Sequence, residues 1–370
     1  MKITAIDIIP YRIPNRQVHK IATLTISALE NVIVRIRTDK GVEGIGECVT
    51  EAKWNSTVME AHAVLLSKYL APAIIGADPF RIRDVWARMD AVVNGQLPAK
   101  GAIDIALYDL IGKALGIPVW RFLGGDNSRP VLVEGPGYGI GFMEPEPAVE
   151  LALSGISDGC RQIEIKCGHP AGPAHDLAVI EAVHRACGPD VSLKIDCTEA
   201  YSFKDALKYL PLFAAANVVW VEQPMGRHEL LAMSTLRPLV PTKIALEESV
   251  GAPADILRVA ALGAADGIHV KLAMLGGMSK CMDIAAVCDA AGLSVLPGCS
   301  TASGIGLAAA HHFAAAIEKP ARGCHASPLA RAVDDIIRDP LPPYPASVTL
   351  TDAPGLGVEV DWDKVSKYAA

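Results

Sequence analysis

From about residue 130 onward, short apolar runs alternate with longer stretches whose apolar positions recur every three or four residues. The short runs are the pattern of buried strands and the longer ones that of amphipathic helices. Strands are expected to close at Lys166, Asp196, Glu222, Glu247, Lys271 and Leu296, with a weak last strand at 323–326. Helices are expected at 147–157, 173–187, 203–215, 229–236, 253–262, 279–291 and 303–317. Strands that alternate with helices pair in parallel, and enough of them close into a barrel.

The first 125 residues follow a different pattern. Three antiparallel strands are expected at 3–13, 29–38 and 42–48, the last two joined by the turn Asp39-Lys40-Gly41. The stretch 14–27, polar at its start, reads as a mobile loop. Helices follow at 56–69, capped by Asn55 or Ser56, then at 80–92 and at 99–115, which Gly116 stops. The tail beyond about 340 is rich in proline and is expected to pack back on the N-terminal part. The chain thus divides into an α+β capping domain (1–125), a (β/α) barrel (126–335) and a C-terminal segment (336–370) that completes the cap.

Half of the residues are apolar and the formal net charge is −7, a composition that supplies an ample core. The acidic balance and the lack of a basic stripe argue against nucleic acid. No signal peptide and no membrane-length apolar run is evident. Nine cysteines without CxxC pairs read as reduced thiols, so a cytoplasmic enzyme is expected.

Five charged residues carry the candidate chemistry. Lys166, Asp196, Glu222, Glu247 and Lys271 each close an apolar run, and successive members lie 30, 26, 25 and 24 positions apart. In a barrel all five meet at the C-terminal mouth, where barrel enzymes work. Three carboxylates forced together repel, and a hard divalent ion relieves that cost. An all-oxygen set suits Mg²⁺, with Mn²⁺ as the alternative, and a set without histidine argues against zinc. Glu248 competes with Glu247 for this duty. The two lysines flank the carboxylates in strand order. Near a cation they lose basicity and become able to move a proton α to a carboxylate.

These features resemble the enolase superfamily, in its mandelate racemase/muconate lactonizing enzyme family. The segment Val32-Ile-Val-Arg-Ile-Arg-Thr-Asp-Lys-Gly-Val-Glu-Gly-Ile-Gly-Glu47 and the stretch Ala102-Ile-Asp-Ile-Ala-Leu-Tyr-Asp are similar to that family's capping domain. Val221-Glu-Gln-Pro224, Lys271-Leu-Ala-Met-Leu-Gly-Gly and Pro354-Gly-Leu-Gly-Val are similar to its barrel and C-terminal motifs. The resemblance implies a modified TIM barrel, Asp196, Glu222 and Glu247 as metal ligands, and Lys166 and Lys271 as the acid/base pair. It also implies a homo-oligomer and a small carboxylate substrate. The 14–27 loop becomes the part that closes on substrate. Candidates for substrate contact are His19, Glu164, Thr198, Glu248, Cys299 and His325.

Several positions depart from the family pattern. The usual Lys-x-Lys is Glu164-Ile-Lys166, the third ligand is Glu rather than the more frequent Asp, and Asp-x-Asn is Asp196-Cys-Thr198. Ala302 stands near the place where lactonizing enzymes carry an acid. Cys167, Cys197, Cys299 and Cys324 read as pocket lining without a histidine partner. The expected reaction is abstraction of a proton α to a carboxylate, giving a metal-stabilised enediolate, in a racemase or epimerase of an amino-acid derivative or similar acid. The alternatives are a muconate-type cycloisomerase, a hydroxy-acid dehydratase, and a metal-binding protein that has lost catalysis.

Overall fold

The computed structural model describes residues 1–52, 57–318, 320–325, 328–343 and 345–370, with backbone only at 136–138. β1 (Ile3–Lys20), β2 (Thr25–Thr38) and β3 (Glu43–Cys48) form an antiparallel sheet in that order. Helix Leu97–Leu115 lies across it. Gly44 and Gly46 permit the contact, because a Cβ at either would collide with the backbone carbonyl of Ala106 or Ala102. The helix ends where Gly116 takes a left-handed conformation, φ 70°. Helix Met59–Leu65 runs into a π turn at Leu66–Leu70; the expected caps at Asn55 and Ser56 lie outside the described residues.

The stretch 14–27 is not a loop. β1 and β2 continue through it, with a register irregularity between the Pro14–Ala28 and His19–Ile26 pairs, and turn only at Ile21–Leu24. Its polar residues find backbone partners on the barrel side. Arg16 N donates to Arg331 O (2.7 Å), Val333 N to Pro14 O (3.0 Å) and Phe142 N to Lys20 O (3.1 Å). Those partners lie far away in sequence, so the local pattern holds no trace of them.

The second sheet is parallel and nearly closed. It comprises β4 (Val131–Ile140), β5 (Gln162–Lys166), β6 (Ser192–Asp196), β7 (Val218–Glu222), β8 (Lys243–Leu246), β9 (Gly267–Lys271), β10 (Ser294–Gly298) and β11 (Cys324–His325). Its order runs from β10 through β9, β8, β7, β6, β5 and β4 to β11, and a short antiparallel β12 (Ser347–Val348) pairs with β4. Between β10 and β11, Ala321 N donates to Val295 O (2.8 Å) and Cys299 N to His325 Nδ1 (3.2 Å). Helices connect successive strands, and Val, Ile, Leu and Met side chains fill the space between helices and sheet. No helix among the described residues is long and apolar enough to cross a membrane.

The N-terminal sheet is joined to the barrel by buried polar contacts. Glu47 accepts from Ser303 N (3.0 Å), Ser303 Oγ (2.8 Å) and Gly306 N (2.9 Å) at the start of helix Gly304–Ala316, and from Asn31 Nδ2 (2.8 Å). A carboxylate suits that helix end because it meets unpaired N–H groups and the positive end of the dipole. Asp104 receives Trp86 Nε1 (2.7 Å) and Ser279 Oγ (2.6 Å). The C-terminal tail reaches the first strand, with Arg12 N donating to Tyr368 O (2.8 Å) and Ala370 N to Pro10 O (3.1 Å).

Candidate active site

The parallel register aligns the strand ends. Lys166 pairs with Asp196, and Asp196 with Glu222. Alternation along a strand puts residues two apart on one face, so Glu164 sits beneath Lys166, Lys194 beneath Asp196 and His269 beneath Lys271. All of these are nearly or fully buried. Lys166 Nζ donates to Asp196 Oδ2 (2.7 Å) and also touches Glu164. Lys271 Nζ lies 2.7 Å from Glu247 Oε2. Lys194 Nζ meets Glu164 Oε2 and Glu222 Oε2 (2.8 Å each) and Glu134 Oε2 (3.2 Å), and Arg322 Nε donates to Glu134 (2.7 Å). His269 Nδ1 is 2.6 Å from Glu222 Oε1.

The turns after these strands are strained in a useful way. Thr198 (φ 44°), Glu199 (φ 67°) and Gln223 (φ 35°) occupy the left-handed region. Asp196 Oδ1 stabilises the first turn by accepting from Thr198 N (2.8 Å) and Oγ1 (3.1 Å). Gln223 Oε1 accepts from Glu247 N (3.1 Å), while its Nε2 donates to Met225 O and Ser249 Oγ (2.9 Å each). That amide fixes the backbone that carries Glu247.

The charges act strongly on one another. Burial favours the neutral form of Lys166, but Asp196 and then Glu164 outweigh it and raise its pKa. Burial likewise opposes the charge of Lys271, and Glu247 reverses the balance. Burial also works against Glu222, which His269 and Lys194 nonetheless bring well below the usual carboxylate range. Glu247 goes the other way: burial, reinforced by Glu248, pushes it well up against the pull of Lys271. Burial and Asp196 lift Glu248 to about 8.

Glu134, Glu164, Asp196, Glu222, Glu247 and Glu248 face Lys166, Lys194, Lys271 and Arg322, two more carboxylates than cations. Glu247 Oε1 and Glu248 Oε2 are buried without a hydrogen-bond partner. A divalent cation fits this arrangement, since it balances the excess charge and gives the orphaned oxygens a partner. A candidate donor set among the described residues is Glu222, Glu247 and His269, with donor atoms all within 4.8 Å of one another. Asp196 stands beside it, tied to Lys166.

A cavity of about 400 Å³ opens above the cluster. Lys166, Asp196 and Lys271 line it from the barrel, and His19, Ile21 and Leu24 from the hairpin. Of the sequence candidates, His19, Thr198, Glu248 and His325 line it too. Burial and Arg331 lower the pKa of His19 to about 2. Glu164 and Cys299 are not among the lining residues; Glu164 is spent on the lysines below. Cys167, Cys197 and Cys324 are core rather than lining, since they too are fully buried and absent from the cavity wall. Contrary to expectation, Cys299 has a histidine neighbour, with Sγ 3.8 Å from His325 Nδ1. That nitrogen accepts from Cys299 N, and burial pushes the thiol pKa up and the imidazole pKa down, so no thiolate–imidazolium pair forms.

Four features escaped sequence reasoning. Lys194 and His269 carried a readable signal, being two positions before Asp196 and Lys271 on the same strand face. Glu51 carried none. It reaches the cavity from the loop after β3, where Ser300 Oγ (2.5 Å) and Thr301 Oγ1 (3.0 Å) donate to it, near the buried Ala302. Arg227, paired with Glu199 (2.6 Å), also comes from a loop.

The chain matches the family description "Mandelate racemase / muconate lactonizing enzyme, N-terminal domain" over residues 4–124 and "Enolase C-terminal domain-like" over residues 148–364. It is 30% identical over 371 residues to muconate cycloisomerase 1 of Rhodococcus opacus, covering 100% of this chain and 98% of the relative. The N-succinyl Arg/Lys racemase of Bacillus cereus superposes with a TM-score of 0.92 at 28% identity, over 100% of this chain and 98% of that one. A dipeptide epimerase of Enterococcus faecalis, solved with Mg and the dipeptide L-Leu-L-Tyr, gives 0.90 at 29% identity over 97% and 100% of the two chains. The chain is therefore an enzyme of the mandelate racemase/muconate lactonizing enzyme family within the enolase superfamily.

Proposed function

We propose that the protein is a racemase or epimerase that exchanges the proton α to the carboxylate of a small acid, with an amino-acid derivative as the substrate class. One observation carries this reading. Lys166 on β5 and Lys271 on β9 line one cavity from opposite sides of the carboxylate-bearing strands β6 to β8. One lysine removes the proton from one face of the α-carbon and the other returns a proton to the opposite face. Each ammonium has a carboxylate partner, Asp196 for Lys166 and Glu247 for Lys271, which orients it.

Asp196, Glu222 and Glu247 would hold a divalent cation, Mg²⁺ in the first instance. When bound, such an ion would offset the negative charge that develops on the substrate carboxylate. Glu164 and Lys194 support the floor of the site, so Glu164 acts on Lys166 rather than on substrate. His19 and the hairpin tip exclude water above the substrate, which strengthens every charge interaction below.

The experiment is an NMR panel in D₂O with Mg²⁺, covering N-substituted amino acids, dipeptides, proline derivatives, hydroxy acids and muconates. Loss of the α-proton signal without change of constitution is the expected result. Formation of a lactone or a keto acid without exchange would replace this reading with cycloisomerisation or dehydration.

A further inference from the structure

His269 stands closer to the carboxylate pair than a core histidine needs to. Its Nδ1 is 2.6 Å from Glu222 Oε1 and 3.7 Å from Glu247 Oε2. The second observation is Glu247 Oε1, which is buried and has no hydrogen-bond partner. The third is the room made for the ring. A Cβ on Gly298 of β10 would collide with His269 Nε2, so the neighbouring strand leaves space for an imidazole at this position. His325 closes the other side edge-on, with ring centroids 5.3 Å apart and planes at 77°.

Around a six-coordinate ion with bonds of about 2.1 Å, neighbouring donors stand about 3 Å apart and opposite donors about 4.2 Å apart. The His269, Glu222 and Glu247 donors already lie within 4.8 Å of one another. Shifts of less than about 1 Å would place all three on one ion.

We infer that His269 supplies a nitrogen ligand to the cation, so that the site prefers Mn²⁺ or a later first-row ion to Mg²⁺. This rests on the reading of Glu222 and Glu247 as metal ligands. An imidazole nitrogen contributes little to a hard ion such as Mg²⁺ and favours the first-row transition ions, whose affinity for nitrogen sites rises along the series.

Two measurements on the full-length protein test it. The protein is stripped with EDTA, loaded with Mn²⁺ alone and examined by pulsed EPR for coupling to a directly bonded ¹⁴N. It is then dialysed against equal Mn²⁺ and Mg²⁺, and the bound ions are counted by mass spectrometry. The expected result is a direct ¹⁴N coupling in the wild type that His269→Asn removes, with an Mn²⁺ preference that falls about ten-fold in that variant. Bound Mn²⁺ with oxygen ligands alone overturns the inference and leaves the carboxylate site standing, with His269 as an orienting group on Glu222. Failure of the wild type to bind Mn²⁺ overturns both readings. The wild-type spectrum decides the matter even if the variant folds poorly.

Discussion

Replacing Lys194 with methionine probes the charged floor of the barrel. Lys194 Nζ meets three carboxylates at 2.8, 2.8 and 3.2 Å, and its side chain is 1% exposed. Removing one partner from a buried ion cluster costs about 3–5 kcal/mol. Here no carboxylate is left alone, because Glu134 keeps Arg322, Glu164 keeps Lys166 and Glu222 keeps His269. The expected loss is therefore at the lower end, about 3 kcal/mol. Unfolding entropy of about 2 cal/mol/K per residue converts that to a fall of about 4 °C in Tm for a chain of this length. The loss also depends on pH. In the folded wild type, His269 and Lys194 overcome the burial of Glu222 and depress its pKa well below 4.5. The stability gained from that depression is present above the unfolded value and disappears as pH falls through the folded one. The deficit of Lys194→Met is accordingly largest at neutral pH and shrinks below about pH 4.5. Chemical denaturation in EDTA at several pH values measures it. Adding Glu164→Gln removes one of the three carboxylates that face Lys194, so the two substitutions delete one shared contact and the double variant is less destabilised than the sum of the singles by about 1–3 kcal/mol. A loss under about 0.5 kcal/mol, or strict additivity, would refute the reasoning.

Three further outcomes follow from the same geometry. Glu222→Gln is expected to lower divalent-ion affinity at least about ten-fold by calorimetric titration, since it removes a donor charge from the cluster; an unchanged titration would remove Glu222 from the site. His312 is buried with Nδ1 accepting from Trp120 N (2.9 Å), and burial lowers its pKa to about 4. Between that value and 6.5 only the unfolded chain takes up the proton, so stability rises with pH through this window and His312 costs about 2 kcal/mol at pH 5 relative to pH 7.5. Unfolding curves of His312→Gln are expected to show a correspondingly flatter pH dependence. Gly46→Ala forces a methyl into the Ala102 carbonyl and is expected to destabilise by about 1–3 kcal/mol, read by thermal unfolding.

The barrel and its five strand-end residues were legible because each sits at a recurring position: an apolar run, then one charge, then a helix. The helices at 173–187, 203–215 and 253–262 have the bounds expected from their apolar stripes and flanking proline or glycine. What escaped notice depends on distant partners. The polar half of the first hairpin is strand because its two arms pair with each other and residues 331–333 offer it further backbone groups, and Glu51 is held at the cavity by the hydroxyls of Ser300 and Thr301 in the loop after β10. Lys194 and His269 are a different case. Period-two alternation places them on the inner face, but attention to the strand ends passed over the residues one layer below. Cys167 and Cys197 were misplaced for a related reason: each lies just beyond an inward-facing Lys166 or Asp196, so it points outward, into the packing between sheet and helices.

The central claim is a two-base proton exchange, and it is tested most directly on single-lysine variants. Lys166→Ala and Lys271→Ala, each shown by titration to retain the divalent ion, are incubated in D₂O with each enantiomer of the substrate that the panel identifies. The account predicts that each variant exchanges the α-proton of one enantiomer only, opposite in the two variants, and that neither interconverts the enantiomers. Exchange of both enantiomers by either variant, or undiminished racemisation by one, would contradict it.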